Sequence, residues 1–457
     1  HRDLHSSPTR RSSDLAIFAK TPAEITGVSG TAMVELKSFW KGKPVELSKQ
    51  RSLGHDDYVI TTTKGKILLT AGSNIGLLYG AYHLLRLQQI GADCTNLNIK
   101  EHPAYALRIL NHWDNPDGTV ERGFAGRSIF WTKEALNTAR IQQYGRANAS
   151  IGINGTVLNN VNAKPSTLSS QQLERAKQIA EILRPYGIRV FLSINFASPI
   201  RLGGLSTADP LNKDVIKWWE KKVAEIYKMI PDFGGFLVKA NSEGEPGPCD
   251  YGRSHAEGAN MLATVLKKHE GIVMWRSFVY NPNDNDRAKQ AYNEFMPLDG
   301  QFLDNVIIQI KNGPIDFQPR EPYSPLCTGM QKTSMMAELQ ITQEYLGAAN
   351  HLVFLSPMWK EFLGSINPSS LKAMAGVANI GDDTNWCGHH FAQANWYAFG
   401  RLAWNPQITS EEIAKEWLGQ TFDSQLSTLN SQLLQAMLDS HEAAVSYMMP
   451  LGLHHIF

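Results

Sequence analysis

The stretch Phe233–Pro248, FGGFLVKANSEGEPGP, is the one around which the chain reads. Gly235-Phe236-Leu237-Val238 is a short unbroken apolar run, the pattern of a strand covered on both faces. It stops abruptly at Lys239, Asn241, Ser242 and Glu243, before a loop rich in Gly and Pro. A buried strand that ends in charge delivers that charge to one rim of a sheet. Lys239 and Glu243 together suit a site that holds an anion with the lysine and moves a proton with the glutamate. A surface ion pair at a strand end has the same local sequence, so recurrence along the chain has to separate the two.

The pattern recurs. Apolar runs at 106–110, 155–158, 190–194, 235–238, 272–275, 306–310, 337–341 and 373–378 read as eight strands, most with room for a helix between them. Leu173, Ala176, Ile179 and Leu183 form one helical stripe, and Val215, Trp219, Val223, Ile226 and Ile230 another. Eight strands alternating with helices predict a (β/α)8 barrel, with a doubly wound open sheet as the competing architecture. No GxGxxG or GxxxxGK[ST] follows any strand, which removes the main support for nucleotide binding.

Before the barrel, DYVITT (57–62) and KILLT (66–70) flank the turn residues Lys64-Gly65 and predict a hairpin. Residues 74–91 place Leu77, Tyr79, Tyr82, Leu85 and Leu87 at near-helical spacing and stop at Gly91. The expected division is a non-native or unstructured opening at 1–15 and a small, incomplete α+β domain at 16–100. The barrel then takes 104–400, and the start of a truncated helical domain takes 401–457. The opening HRDLHSSPTRRSSDL lacks an initiator Met and is rich in Arg and Ser, as a truncation or assembly segment would be.

Composition leaves the function to local sites. The net charge of +1 over 457 residues supplies no whole-molecule field for nucleic acid or membrane, and no run approaches the ~20 apolar residues of a membrane span. Cys94, Cys249, Cys327 and Cys387 are widely separated, without the spacing of a metal-thiolate site.

In such a barrel the active site lies where the strands end. Those ends carry Asn111, His112, Trp113 and Asp114; Asn159 and Asn160; Asn195; Lys239 and Glu243; Arg276; Lys311, Asn312 and Asp316; Gln343 and Glu344. Singly, each has a structural explanation: Asn closes turns, Trp113 fills a core, Arg276 braces a carboxylate. Together they make a mouth with three cations and, besides Asp114, three carboxylates. Paired carboxylates without a His/Cys cluster fit acid/base cleavage of a glycosidic bond. Lys239, Arg276 and Lys311 facing the same mouth point to a negatively charged substrate, and Trp113 offers a ring for a pyranose face.

RILNHWDNPDGTVERGFAGRSIFW (108–131), INGTVLNNVNA (153–163), FLVKANSEGEPGP (236–248), WRSFVYN (275–281), DNVIIQIKNGPIDFQPREP (304–322) and ELQITQEYLG (338–347) resemble the xylan α-1,2-glucuronidases of glycoside hydrolase family 67. The resemblance runs from about Lys66 to the C-terminus. It implies a (β/α)8 barrel between a small N-terminal domain and a helical C-terminal one, and release of 4-O-methyl-D-glucuronic acid from the terminal xylose of xylo-oligosaccharides. By motif it implies Glu243 as general acid, Asp316 and Glu344 as the pair that activates water, Lys239, Arg276 and Lys311 on the uronate, and Trp113 in the sugar pocket. Glu245, Glu338 and Asp114 are expected to stand behind these. No cofactor is implied and the chemistry requires no metal. A homodimer is expected only where the helical C-terminal domain is complete. The compartment stays open, with an extracellular or periplasmic place favoured over the cytoplasm.

Two alternatives stay open at this point. Glu at the fourth and seventh strand ends is also the layout of retaining barrel glycosidases, which would make Glu344 a nucleophile. A truncated chain that binds acidic xylo-oligosaccharides without turnover is the non-enzyme reading.

Overall fold

The structure, a computed structural model, describes residues 31–278, 286–348, 350–422 and 427–448. The opening segment 1–15 and residues 279–281 of the WRSFVYN motif lie outside the described residues.

Four strands form the first unit: β1 (Val45–Lys49), β2 (Tyr58–Thr63), β3 (Lys66–Ala71) and β4 (Asn98–Glu101), in the order β1-β3-β2-β4. The hairpin is present: β2 and β3 pair antiparallel from Tyr58↔Ala71 to Thr63↔Lys66. Lys64 and Gly65 both take positive φ, 39° and 85°, as a tight two-residue hairpin turn demands. The helix Asn74–Gln89 follows, capped by the Ser73 hydroxyl, which accepts from the Ile75 and Gly76 amides. Gly80 lets it lie close on the sheet, since a Cβ there would sit 2.3 Å from Leu69. The edge strand β4 lies across the expected domain boundary, between the unit ending at 100 and the barrel starting at 104.

Eight parallel strands then close on themselves: β5 (Leu107–His112), β6 (Gly155–Val157), β7 (Arg189–Ile194), β8 (Gly235–Val238), β9 (Ile272–Arg276), β10 (Val306–Lys311), β11 (Met335–Gln340) and β12 (Ala373–Ala378). The closing pair is β12 with β5, in register from Ala373↔Leu107 to Ala378↔His112. Every residue of β8, β10, β11 and β12 is buried, because helices cover the outside and side chains fill the inside. This is a (β/α)8 barrel, and the open sheet is excluded by the closing pair.

The helices follow the sequence stripes. Leu173, Ala176, Ile179 and Leu183 are the buried face of Ser170–Leu183, and Val215, Trp219, Val223 and Ile226 that of Lys213–Met229. Between β10 and β11 the only helical segment is the four-residue turn Leu326–Gly329. Most of that crossover is loop, and Asp316 sits on it. After β12 come Ala392–Trp404, Ser410–Thr421 and Ser427–Met448. Among the described residues no helix is long and apolar enough to cross a membrane.

Candidate active site

Paired residues on neighbouring strands point the same way, so the register says which side chains share the barrel mouth. Arg276 of β9 lies beside Gln309 of β10, and Lys311 of β10 beside Glu338 of β11. Lys239 follows β8 directly. Three adjacent strands thus deliver Lys239, Arg276 and Lys311, all buried, to one place.

Each cation meets a carboxylate. Lys239 Nζ donates to Glu243 Oε2 at 2.5 Å and to Asn162 Oδ1 at 2.7 Å. Arg276 Nε donates to Glu338 Oε2 at 3.0 Å. Lys311 Nζ donates to Asp316 Oδ1 at 2.7 Å and lies over two rings, 3.5 Å from the centroid of Phe278 and 4.6 Å from that of Phe317. The other oxygen of Asp316 accepts from the Tyr345 hydroxyl. Glu344 accepts from Arg122 Nε at 2.6 Å on one oxygen and from Gln340 Nε2 at 2.7 Å on the other. The structure therefore brings Glu243 and Asp316 together with the three cations, and ties Glu344 to the loop after β5.

Burial raises the Asp316 carboxyl, but Lys311 and Tyr345 outweigh it and leave it below its ordinary value. That keeps it ionised, as a base requires. For Glu243 burial also acts upward, and Lys239, Lys311 and Arg276 again win, so this carboxyl too is held low. A general acid needs the opposite. Glu245, which accepts from Asn195 at 3.1 Å, is pushed up by burial.

Asn241 and Glu243 adopt φ of +51°, and Gly244 of +80°. The loop after β8 thus folds through consecutive left-handed turns that few side chains favour. Such a turn returns Glu243 to Lys239 only four positions away. A cavity of about 660 Å³ opens beside it, with Glu243, Glu245, His255, Gln290, Glu294 and Leu298 among its lining residues.

Several other rim residues are taken up by the chain's own contacts. Asn111 and Trp113 share a strand parity opposite to that of His112 and Asp114. His112 is buried against Phe130 and bonds the Tyr144 hydroxyl at 2.8 Å, and Asp114 accepts from Ser128. Asn159 pins Ser193, and Gln343 closes its own loop through the carbonyls of Leu346 and His351. Trp113 is buried, with the Arg122 guanidinium 5.8 Å from its ring centroid. Among the described residues no group of three or more His, Cys, Asp or Glu is placed to hold a metal ion.

The glycosyl hydrolase family 67 middle domain matches residues 87–370, and the C-terminal region of the same family matches 387–457. The chain belongs to glycosyl hydrolase family 67. Among similar proteins, the probable α-glucuronidase A of Aspergillus clavatus is 44% identical over 427 residues, covering 88% of this chain and 51% of that protein. An α-glucuronidase of Hypocrea jecorina is 43% identical over 408 residues, covering 82% of this chain and 48% of that one. The family 67 chain thus spans about half the length of the curated relatives it matches. A solved family GH115 4-O-methyl-α-glucuronidase superposes with a TM-score of 0.53 at 12% identity, over 86% of this chain and 53% of that one. That likeness is one of fold.

Sequence reasoning missed four members of this family 67 site: Arg122, Asn162, Tyr345 and the rings Phe278 and Phe317 taken as one box. Arg122 lies within the quoted ERGF motif and Tyr345 directly after Glu344, so both were in view without a signal for their role. Glu338, which the sequence did not single out, accepts from Arg276 Nε.

Proposed function

We propose that this chain is a glycosidase that removes D-glucuronic acid or its 4-O-methyl ether, α-1,2-linked to the terminal xylose of xylo-oligosaccharides. The observation that carries the reading is the set of three buried cations from β8, β9 and β10 interleaved with carboxylates at the barrel mouth of a family 67 chain. Lys239, Arg276 and Lys311 receive the uronate carboxylate. Among the described residues Arg276 spends only Nε on Glu338, which leaves its Nη atoms for the substrate. Trp113 lines the sugar pocket.

The cleavage is an inverting single displacement. Glu243 protonates the glycosidic oxygen while Asp316 and Glu344 activate a water on the opposite face of the sugar. Asp316, held low by Lys311 and Tyr345, suits the base, whereas Glu243, held low by Lys239 in the resting site, has to gain a proton before it acts as the acid. Acid and base are expected to stand roughly 6.5–9.5 Å apart, room for one water. Among the described residues the lining of the cavity beside Glu243 has no Lys or Arg and carries Glu243, Glu245, Asp250 and Glu294, which suits the neutral xylose chain better than the uronate.

Proton NMR of hydrolysis of a xylo-oligosaccharide bearing 4-O-methylglucuronate on its non-reducing terminal xylose tests this. Early appearance of the β-anomer of the free uronic acid is expected. The α-anomer first would overturn inversion and make Glu344 a nucleophile. Binding without release would overturn turnover by this chain.

A further inference from the structure

The three cations assigned to the substrate are already occupied. Lys239 holds Glu243, Lys311 holds Asp316, and Arg276 holds Glu338. A uronate that enters has to share or displace one of these carboxylates, and the three are not equally held.

Glu338 is fully buried inside the barrel. Asp316 is 17% exposed and has a second donor, Tyr345. Glu243 is 46% exposed, sits on the left-handed loop after β8, and among the described residues has Lys239 as its one hydrogen-bond donor. Lys239 itself keeps a second contact, to Asn162, that would hold it in place without Glu243. The weakest link in the set is therefore the bond between Lys239 and Glu243.

Resting on the uronate reading above, we infer that the substrate carboxylate takes Lys239 from Glu243, and that Glu243 takes up one proton from solvent as it is released. In charge terms, the uronate adds one negative charge to a set in which Lys239, Arg276 and Lys311 are each already paired with a carboxylate. One proton on Glu243 restores the balance. The groups that face Glu243 are Lys239 and Glu245 on its own loop, Arg276 of β9 and Lys311 of β10. The cations favour its ionised form, and an arriving anion cancels part of that bias. This resolves the low resting position of Glu243: the acid is loaded by the charge of its own substrate. A neutral sugar does not load it, so discrimination against a glucoside falls on the chemical step as well as on binding.

The loading is a linkage between ligand and proton, measurable without turnover. Isothermal titration of this chain with D-glucuronate at pH 6, in two buffers of different ionisation enthalpy, gives the protons taken up per site. About one is expected for the unaltered chain, and about none for Glu243→Gln, which should still bind because the competitor for Lys239 is gone. Glu245→Gln should keep the uptake.

Glucuronate binding with no proton uptake overturns the inference and leaves the uronate reading standing. Uptake that persists in Glu243→Gln overturns it as well, by placing the proton elsewhere. Loss of binding in Glu243→Gln does the same, because the carboxylate would then be holding Lys239 ready rather than competing for it. No glucuronate binding to the unaltered chain overturns the uronate reading and the inference with it.

Discussion

Two sets of ion pairs in this molecule use the same chemistry to opposite ends. At the seam between the first unit and the barrel, Glu35 of the helix Ala32–Phe39 receives Arg146 of Thr138–Ser150 through both carboxylate oxygens, at 2.7 and 2.6 Å. The Tyr82 hydroxyl donates to it as well. Beyond the barrel, Glu416 is forked in the same way by Arg401, at 2.8 and 3.1 Å, with Tyr397 donating at 2.7 Å. At the barrel mouth, Lys239 and Lys311 each reach a carboxylate through one contact, and one partner stays in touch with solvent. The seam pairs satisfy each other fully, so removing one partner strands a buried charge. The rim pairs leave capacity unused, and a carboxylate from outside can enter. On the proposed reading, unused capacity is what separates the two lysine pairs of the rim from these structural pairs.

The largest effect that would break this comparison is at the seam. Arg146→Met leaves Glu35, fully buried, without its fork, and a stranded charge of this kind typically costs about 3–5 kcal/mol. Denaturant unfolding should show that loss, and the double variant Glu35→Leu/Arg146→Met should recover much of it. A loss below ~1 kcal/mol, the range of exposed pairs, would show that saturation is no guide to stability here.

Next in size is acid sensitivity. Glu416 is held at about 2 against an ordinary 4.5; burial acts upward, and Arg401 with Arg86 overrides it. A carboxyl lowered on folding stabilises the fold above its unfolded value and loses that contribution as pH falls toward its folded one. The window is therefore from about 4.5 down to about 2, and the contribution is roughly 3 kcal/mol. Melting curves between pH 5 and pH 2.5 should fall more steeply for the unaltered chain than for Glu416→Gln. Parallel curves would remove Glu416 from the acid response.

This contrast was only half legible in the sequence. The eight barrel strands were readable because a strand covered on both faces is a continuous apolar run, and Lys239, Arg276 and Lys311 because charge at the end of such a run has nowhere to go but the rim. The edge strand β4, NIKE, passed as a boundary because a short edge strand needs no apolar run. His112 and Asp114 were listed with Asn111 and Trp113 although strand alternation alone puts the two pairs on opposite faces. Arg122 could not be found that way, since it meets Glu344 from 222 positions away. An ion pair of Lys239 with Glu243 and a carboxylate braced by Arg276 were in view, but not that Arg276 meets Glu338 and Lys311 meets Asp316, since sequence gives the charges and not the distances between them.

The smallest expected effect sharpens the comparison within the rim itself. Asp316, like Glu344, has a donor on each oxygen: Lys311 on one and Tyr345 on the other. Burial and the neighbouring Asp316 both push the Tyr345 hydroxyl above its ordinary value, so it stays protonated and donates. Tyr345→Phe removes that donor and keeps the ring. With Lys311 as the remaining hold, Asp316 should rise toward its ordinary value, because one of the groups lowering it is gone. The acid limb of kcat/KM should therefore move to higher pH, and kcat should fall about tenfold with KM little changed, the loss of one hydrogen bond to a charged group. A residue that only filled space would lower stability without moving the limb. An unmoved limb with a tenfold loss of kcat would place the orientation of Asp316, not its charge, under the control of Tyr345; an unmoved limb with unchanged kcat would give the work of the base to Glu344, which Arg122 and Gln340 hold from the other side of the mouth.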